Sequence, residues 1–391
     1  MDQTAVDKAL DSFHIELPSW GFANTGTRFG KFVQAAAATT IEEKFADAAQ
    51  VHALTGGSPT VALHVLWDLP GGLADVPLIR QLQERFGVHA GSINPNLFQA
   101  QQYKFGSMSN PDPAVRRMAQ DHLLESIEVA KALGSRDISI WDADGSNYPG
   151  TQSIARRIEW LQQVLAAAHQ ATGEDQRLLI EYKPFEPAFY HTDIADWGMA
   201  LELARSAGPR AKVLVDTGHH ALGTNIEQIV AWLLHLDALG GFHFNDRKYA
   251  DDDLTLGSMD PYQLFRIFHE LQSVPTASTR DVAYMIDQSH NLKGKLEAMV
   301  QSVVTAQELW VRAALVDREA LARLQDACLL VEAEECFRDA FWTDVRPAVR
   351  AWRQSRGLPA DPLQALKAGG YVERIAGERT ARNLQTGSSY A

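Results

Sequence analysis

The chain has 391 residues, 46% of them hydrophobic and 22% charged, a balance that supplies a large buried core and excludes general disorder. Its formal charge of -13 repels polyanions and acidic membrane surfaces, so nucleic acid and membrane are excluded as generic partners and a neutral small molecule suits it better. The opening MDQTAVDKALDSF has no basic start with an apolar run, no stretch nears the roughly 20 apolar residues of a membrane helix, and Cys328 and Cys336, eight apart in an amphipathic helical stretch, read as reduced thiols; a cytoplasmic protein is expected.

Short apolar runs that close on polar or small residues alternate with amphipathic helical patterns, the mark of repeated βα units. Eight strands are predicted in chain order: 14–20 (HIELPSW), 61–67 (VALHVLW), 89–95 (HAGSINP), 137–142 (DISIWD), 178–184 (LLIEYKP), 212–217 (KVLVDT), 241–246 (GFHFND) and 282–288 (VAYMIDQ). Helices are predicted between them at IEEKFADAAQVHALTG, PLIRQLQERFG, AVRRMAQDHLLESIEVAKALG and ARRIEWLQQVLAAAHQATG, each closing on a glycine suited to a left-handed stop. Eight such units close into a (β/α)8 TIM barrel; an open doubly wound sheet is the main rival. From about Leu292 the pattern turns to long helices, so residues 1–291 are read as a catalytic barrel. Residues 292–391 are read as a C-terminal helical extension that wraps the barrel or joins subunits, ending in a polar, mobile tail, TARNLQTGSSYA.

A parallel barrel gathers functional groups where its strands end at their carboxyl side. Glu181 and Lys183 close the fifth strand, Asp216 and His219 the sixth, His243 and Asp246 the seventh, Asp251 and Asp253 the loop after it, and Asp287 the eighth. A lone aspartate after a strand is usually a cap, but burying carboxylates from four successive strands costs several kcal/mol per uncompensated charge, so bound cations are expected. Carboxylates with a minority of imidazoles favour Mn2+, Mg2+ or Co2+ over a thiolate zinc site. The three-residue spacing of Asp216 and His219 lets each serve a different cation. Period-two alternation puts His243 and Asn245 on one face and Asp246 on the other, making His243 the better ligand and His220 a supporting histidine.

The segments P-S-W-G and G-T-R-F (18–29), L-H-V-L-W-D (63–68), Y-K-F-G-S (103–107), D-G-S-N-Y-P-G (144–150), E-Y-K-P-F-E-P-A-F-Y (181–190), L-V-D-T-G-H-H (214–220), G-G-F-H-F-N-D-R-K-Y-A-D-D-D (240–253) and M-I-D-Q-S-H-N (285–291) resemble bacterial L-rhamnose isomerases, in that family's order and across nearly the whole barrel. The resemblance implies a cation held by Glu181, Asp216, His243 and Asp287 and a second by His219, Asp251 and Asp253, with Mn2+ first among Mn2+, Co2+, Mg2+ and Zn2+. It implies a sugar substrate contacted by His64, Trp67, Trp141, Lys183 and Phe29, the last reaching a neighbouring subunit, in a homotetramer. Asp68 is expected in the same pocket wall. The catalytic parts fall to Lys183 at the carbonyl oxygen, to Asp251 on the side of the C2 hydroxyl, and to Asp287 or His64 in ring opening. The family's I-G-D-G turn is D-A-D-G here (142–145), and the 17 residues before P-S-W-G are a short lead. The expected activity is isomerisation of L-rhamnose to L-rhamnulose, with L-lyxose, L-mannose and D-allose as related aldoses. A metal-dependent endonuclease barrel and a non-catalytic barrel are the rivals; the net charge opposes the first and the intact ligand types oppose the second.

Overall fold

A computed structural model describes residues 2–24, 32–185, 191–248, 253–279 and 281–386. Eight parallel strands run in sequential order, Leu17–Pro18, Thr60–His64, His89–Asn94, Asp137–Trp141, Arg177–Glu181, Ala211–Asp216, Leu239–Phe244 and Ala283–Ile286, and all eight lie within two residues of the predicted starts or inside the predicted runs. The ring closes between last and first strands, where the Glu16 amide donates to Tyr284 O at 2.8 Å and the Ile286 amide to Glu16 O at 2.9 Å. This closure selects the TIM barrel over the open sheet.

Each strand feeds an amphipathic helix whose apolar face packs on the barrel wall. Thr40 and Glu43 form a reciprocal capping box at the head of Ile41–Thr55. Gly56, Gly87 and Gly134 end three of the predicted helices in the left-handed region, at φ 68°, 69° and 73°. The fourth, Ile154–Ala171, departs from expectation: Thr172 caps it in an extended conformation, so Gly173 is not the stop.

After the last strand, helix Lys295–Ala314 packs against Pro261–Ser273, Ile41–Thr55 and the N-terminal helix Gln3–Asp11. The long helical pattern beyond residue 318 breaks into three shorter helices, Arg318–Asp326, Leu330–Trp342 and Arg346–Ser355, with Cys328 between the first two at φ 54°. Residues 380–386 are not a mobile tail: they continue helix Tyr371–Thr386. Two of its polar residues are themselves buried and spend their donors across the chain, Arg379 bidentately on Asp47 (2.8 and 3.0 Å) and on Ala36 O, and Asn383 on Ala35 O and Ala37 O. Polar composition there marks a buried dock, which a reading of hydropathy takes for solvation.

No helix among the described residues is long and apolar enough to cross a membrane.

Candidate functional site

The fifth to eighth strands carry one acid or imidazole each at the rim. Glu181 and Asp216 are the last residues of their strands, His243 is one short of the end of its own, and Asp287 follows the eighth. One donor atom from each of Glu181, Asp216, His243 and Asp287 lies within 4.8 Å of the others, and the first three are buried. His243 Nδ1 is 3.1 Å from Glu181 Oε2 and 3.6 Å from Asp287 Oδ2. Neither imidazole nitrogen has a hydrogen-bond partner of proper geometry among the described residues, although Nδ1 stands close enough to Glu181 for strong attraction.

Burial by itself would lower the His243 pKa, yet Glu181, then Asp287 and Asp216, push it up to about 9. Burial raises Asp287, with Glu181 adding to it, while His243 and the Trp20 indole pull the other way without reversing the shift. Three carboxylates and an imidazole with orphaned nitrogens form a hard, largely oxygen donor set, and a divalent cation fits it.

Neighbouring groups orient these donors. Asn245 Nδ2 donates to both Asp216 oxygens, at 3.0 and 3.3 Å, and Trp20 Nε1 donates to Asp287 Oδ1 at 2.8 Å. His219 adjoins the cluster, with Nδ1 3.2 Å from Glu181 Oε1 and 3.0 Å from Tyr182 O, and Nε2 3.8 Å from Asp216 Oδ2. Asp253 stands on the following loop at φ 45° and does not join the converging donors among the described residues. Asp251 and Phe29 lie outside the described residues. Asp246 faces away as alternation predicts, accepting from the Met259 and Asp260 amides at 2.6 and 2.9 Å. His220 meets the Tyr182 hydroxyl at 2.7 Å, a supporting place.

An aromatic wall adjoins the cluster. His64 stacks on Trp67 at 3.9 Å between centroids, Phe98 lies 5.7 Å from His64 and 4.7 Å from Trp141, and Lys183 Nζ sits 5.2 Å from the centre of the Trp141 ring. Trp20 bridges the two halves, its ring edge-on to His64 at 6.1 Å. Sequence reading missed Trp20, Phe98 and Asn245 in these roles, although Trp20 stands in the P-S-W-G motif and Asn245 on the His243 face.

Asp68 departs from its expected place in the pocket wall. One oxygen takes Ser19 Oγ (2.5 Å) and the His64 amide (2.7 Å), and the other takes Lys44 Nζ (2.5 Å), all buried. Asp68 thereby fixes the turn that holds His64, in which Leu66 adopts a left-handed φ of 83°.

Burial lowers the His64 pKa to about 4, and Nδ1 lies 3.2 Å from Val65 O, so the neutral ring donates from Nδ1 and keeps the Nε2 lone pair. The unfolded chain protonates this residue below about pH 6.5 and the folded chain only below about 4, so stability falls as pH drops through that window. His64→Gln is expected to lessen the loss between pH 7 and 5 by about 2 kcal/mol, read by urea unfolding at the two pH values; an unchanged loss refutes a buried neutral His64.

A model of the xylose isomerase-like TIM barrel family matches residues 60–274. A relative from Mesorhizobium japonicum named a probable sugar isomerase is 41% identical over 384 residues, spanning 96% of this chain and 88% of the relative. Another with that name from Rhizobium meliloti is 40% identical over 388 residues, spanning 97% and 90%. Among solved structures, the 3-keto-D-glucoside 4-epimerase of E. coli superposes with a TM-score of 0.55 at 13% identity, over 75% of this chain and 99% of that one, a likeness of fold alone.

Proposed function

The chain belongs to the xylose isomerase-like TIM barrel family, and we propose that within it the protein is an L-rhamnose isomerase, an aldose-ketose isomerase that interconverts L-rhamnose and L-rhamnulose. The observation that carries an isomerase reading is the convergence of Glu181, Asp216, His243 and Asp287 beside Lys183 and an aromatic wall. The series of motifs from P-S-W-G to M-I-D-Q-S-H-N supports L-rhamnose as the aldose. Two divalent cations, Mn2+ by preference, would be held by Glu181, Asp216, His243 and Asp287 and by His219, Asp251 and Asp253, and when bound supply polarisation of the sugar's O1 and O2.

The chain's own groups do the rest. His64, neutral and with its Nε2 lone pair free of the Val65 bond, takes the anomeric hydroxyl proton as the C1–O5 bond breaks and delivers it to O5, so that the ring opens to the aldehyde. It is better suited to that than Asp287, whose Oδ1 already accepts from Trp20. The Lys183 ammonium donates a proton toward O1 while hydrogen passes from C2 to C1 with its electron pair, and the O2 proton passes to a base held on the Asp251 side and returns through solvent to Lys183, so that no proton is gained or lost. Trp67 and Trp141 give the sugar its apolar faces, with Phe29 offered by a neighbouring subunit. Residues 1–291 then serve as the catalytic unit and 292–391 as the helical part that supports a cytoplasmic homotetramer.

The test is a screen of L-rhamnose, L-lyxose, L-mannose and D-allose for ketose formation with Mn2+ present. L-Rhamnose is expected to show the highest kcat/KM. A tenfold preference for another aldose displaces it as substrate, and no ketose from any of the four refutes the isomerase reading.

A further inference from the structure

A second group of acids gathers where the fourth and fifth strands end. Asp142 and Asp144 follow the fourth strand and Asp193 follows the short ribbon formed by Gly145–Ser146 and His191–Thr192; one oxygen from each lies within 4.8 Å of the others. Two of the three are committed to partners. Asp144 accepts from the Ser107 amide (2.6 Å) and the Ser109 amide (2.9 Å) and Asp193 from Arg157 Nε and Nη2, while the single proton of Ser109 Oγ, 2.7 Å from Asp144 and 2.8 Å from Asp193, serves one of the two.

Two buried oxygens, one on a member of the group and one on a residue whose amide bonds to it, have no hydrogen-bond partner among the described residues. They are Asp142 Oδ2, on a residue 2% exposed, and Ser107 Oγ, on a wholly buried residue whose own amide rests on Asp144. Ser107 and Asp142 are each bonded to Asp144 through another atom, the Ser107 amide to Asp144 Oδ1 and the Asp144 amide to Asp142 Oδ1, and a buried hydroxyl and a buried carboxylate oxygen left unsatisfied on residues that share this neighbour call for a ligand. The charges agree: three carboxylates against one guanidinium leave two negative charges when all are ionised, the complement of a divalent cation. Burial, then Asp144 and Asp193, push the Asp142 carboxyl well above its ordinary range. A proton on Asp142 would relieve only one of those charges and would leave Ser107 Oγ orphaned.

We propose that Asp142, Asp144 and Asp193, with Ser107 Oγ, form an oxygen-only site for a hard divalent cation of the Ca2+ or Mg2+ type, separate from the His243 centre. The cation ties together the segments 107–109, 142–145 and 191–194. Its position matters to the rim, because the Lys183 amide donates to Ile194 O at 2.9 Å and the Lys183 carbonyl accepts from Thr192 Oγ1, while Trp141 precedes Asp142. A cleft bordered by Ser146, Arg157, His191, Asp193 and Glu202 offers the entry route.

The experiment is equilibrium dialysis against calcium, with thermal unfolding, on Glu181→Gln protein, which weakens the His243 centre, and on the same protein carrying Asp142→Asn as well. The single variant is expected to bind one more equivalent of calcium than the double variant. Calcium at 100 times its Kd is expected to raise the single variant's Tm by about 3–5 °C, and the double variant's by less. Adding Ser107→Ala to Glu181→Gln is expected to weaken calcium binding about tenfold, and this arm decides the matter if Asp142→Asn fails to fold by circular dichroism. Equal calcium occupancy in single and double variants, or unchanged affinity on loss of the Ser107 hydroxyl, overturns the site.

Discussion

Lys183→Met is expected to lower kcat by about 10²–10³-fold while KM moves less than about threefold. The reason lies in where the ammonium stands. It is buried beside Trp141, two residues beyond Glu181, and its main chain is pinned on both sides, so its charge is held in place before a substrate arrives. Such preorganised charge acts on the oxygen that becomes negative as hydrogen moves, and less on the ground-state sugar. Methionine keeps the length and the packing on Trp141 but removes the donor. A rise in KM with kcat intact, measured in the steady state with Mn2+, would instead make Lys183 a residue of uniform substrate binding.

Exhaustive chelation is expected to lower turnover by at least about 10³-fold, and added Mn2+ or Co2+ to restore it. Although Asn245 orients Asp216 and Trp20 orients Asp287, donor atoms of Glu181, Asp216, His243 and Asp287 still crowd within 4.8 Å, and the His243 nitrogens find no hydrogen bond of proper geometry among the described residues. Leaving several like charges uncompensated in such a place costs several kcal/mol, so these side chains are held together for something that neutralises them. Full activity in protein shown metal-free by elemental analysis would remove that explanation.

Much of this site is legible in the chain because strand geometry is local. Once eight apolar runs are recognised, Glu181, Asp216, His243 and Asp287 fall at strand ends, and barrel closure alone brings strand ends together. Asp246 turning away from His243 is likewise a local matter of alternation. What local pattern does not carry is long-range pairing. Trp20 meets Asp287 across 267 residues and Lys44 meets Asp68 across 24, contacts that periodicity does not encode. Asp68 therefore reads as a sugar-pocket residue, whereas its two oxygens belong to Ser19, Lys44 and the His64 amide. The same limit explains the C-terminal residues: Asn383 falls in a polar stretch that reads as a mobile tail, yet it donates to the carbonyls of Ala35 and Ala37, just after Arg379 has reached the Asp47 carboxylate.

That last docking bears on the order in which the molecule is made. Asp11 receives Arg356 at 2.6 Å across 345 positions, and Asp47 receives Arg379 across 332. Helices Gln3–Asp11 and Ile41–Thr55 thus wait for partners more than 300 positions further along, and a nascent barrel stalled short of residue 379 holds the buried Asp47 carboxylate without the guanidinium that pairs with it.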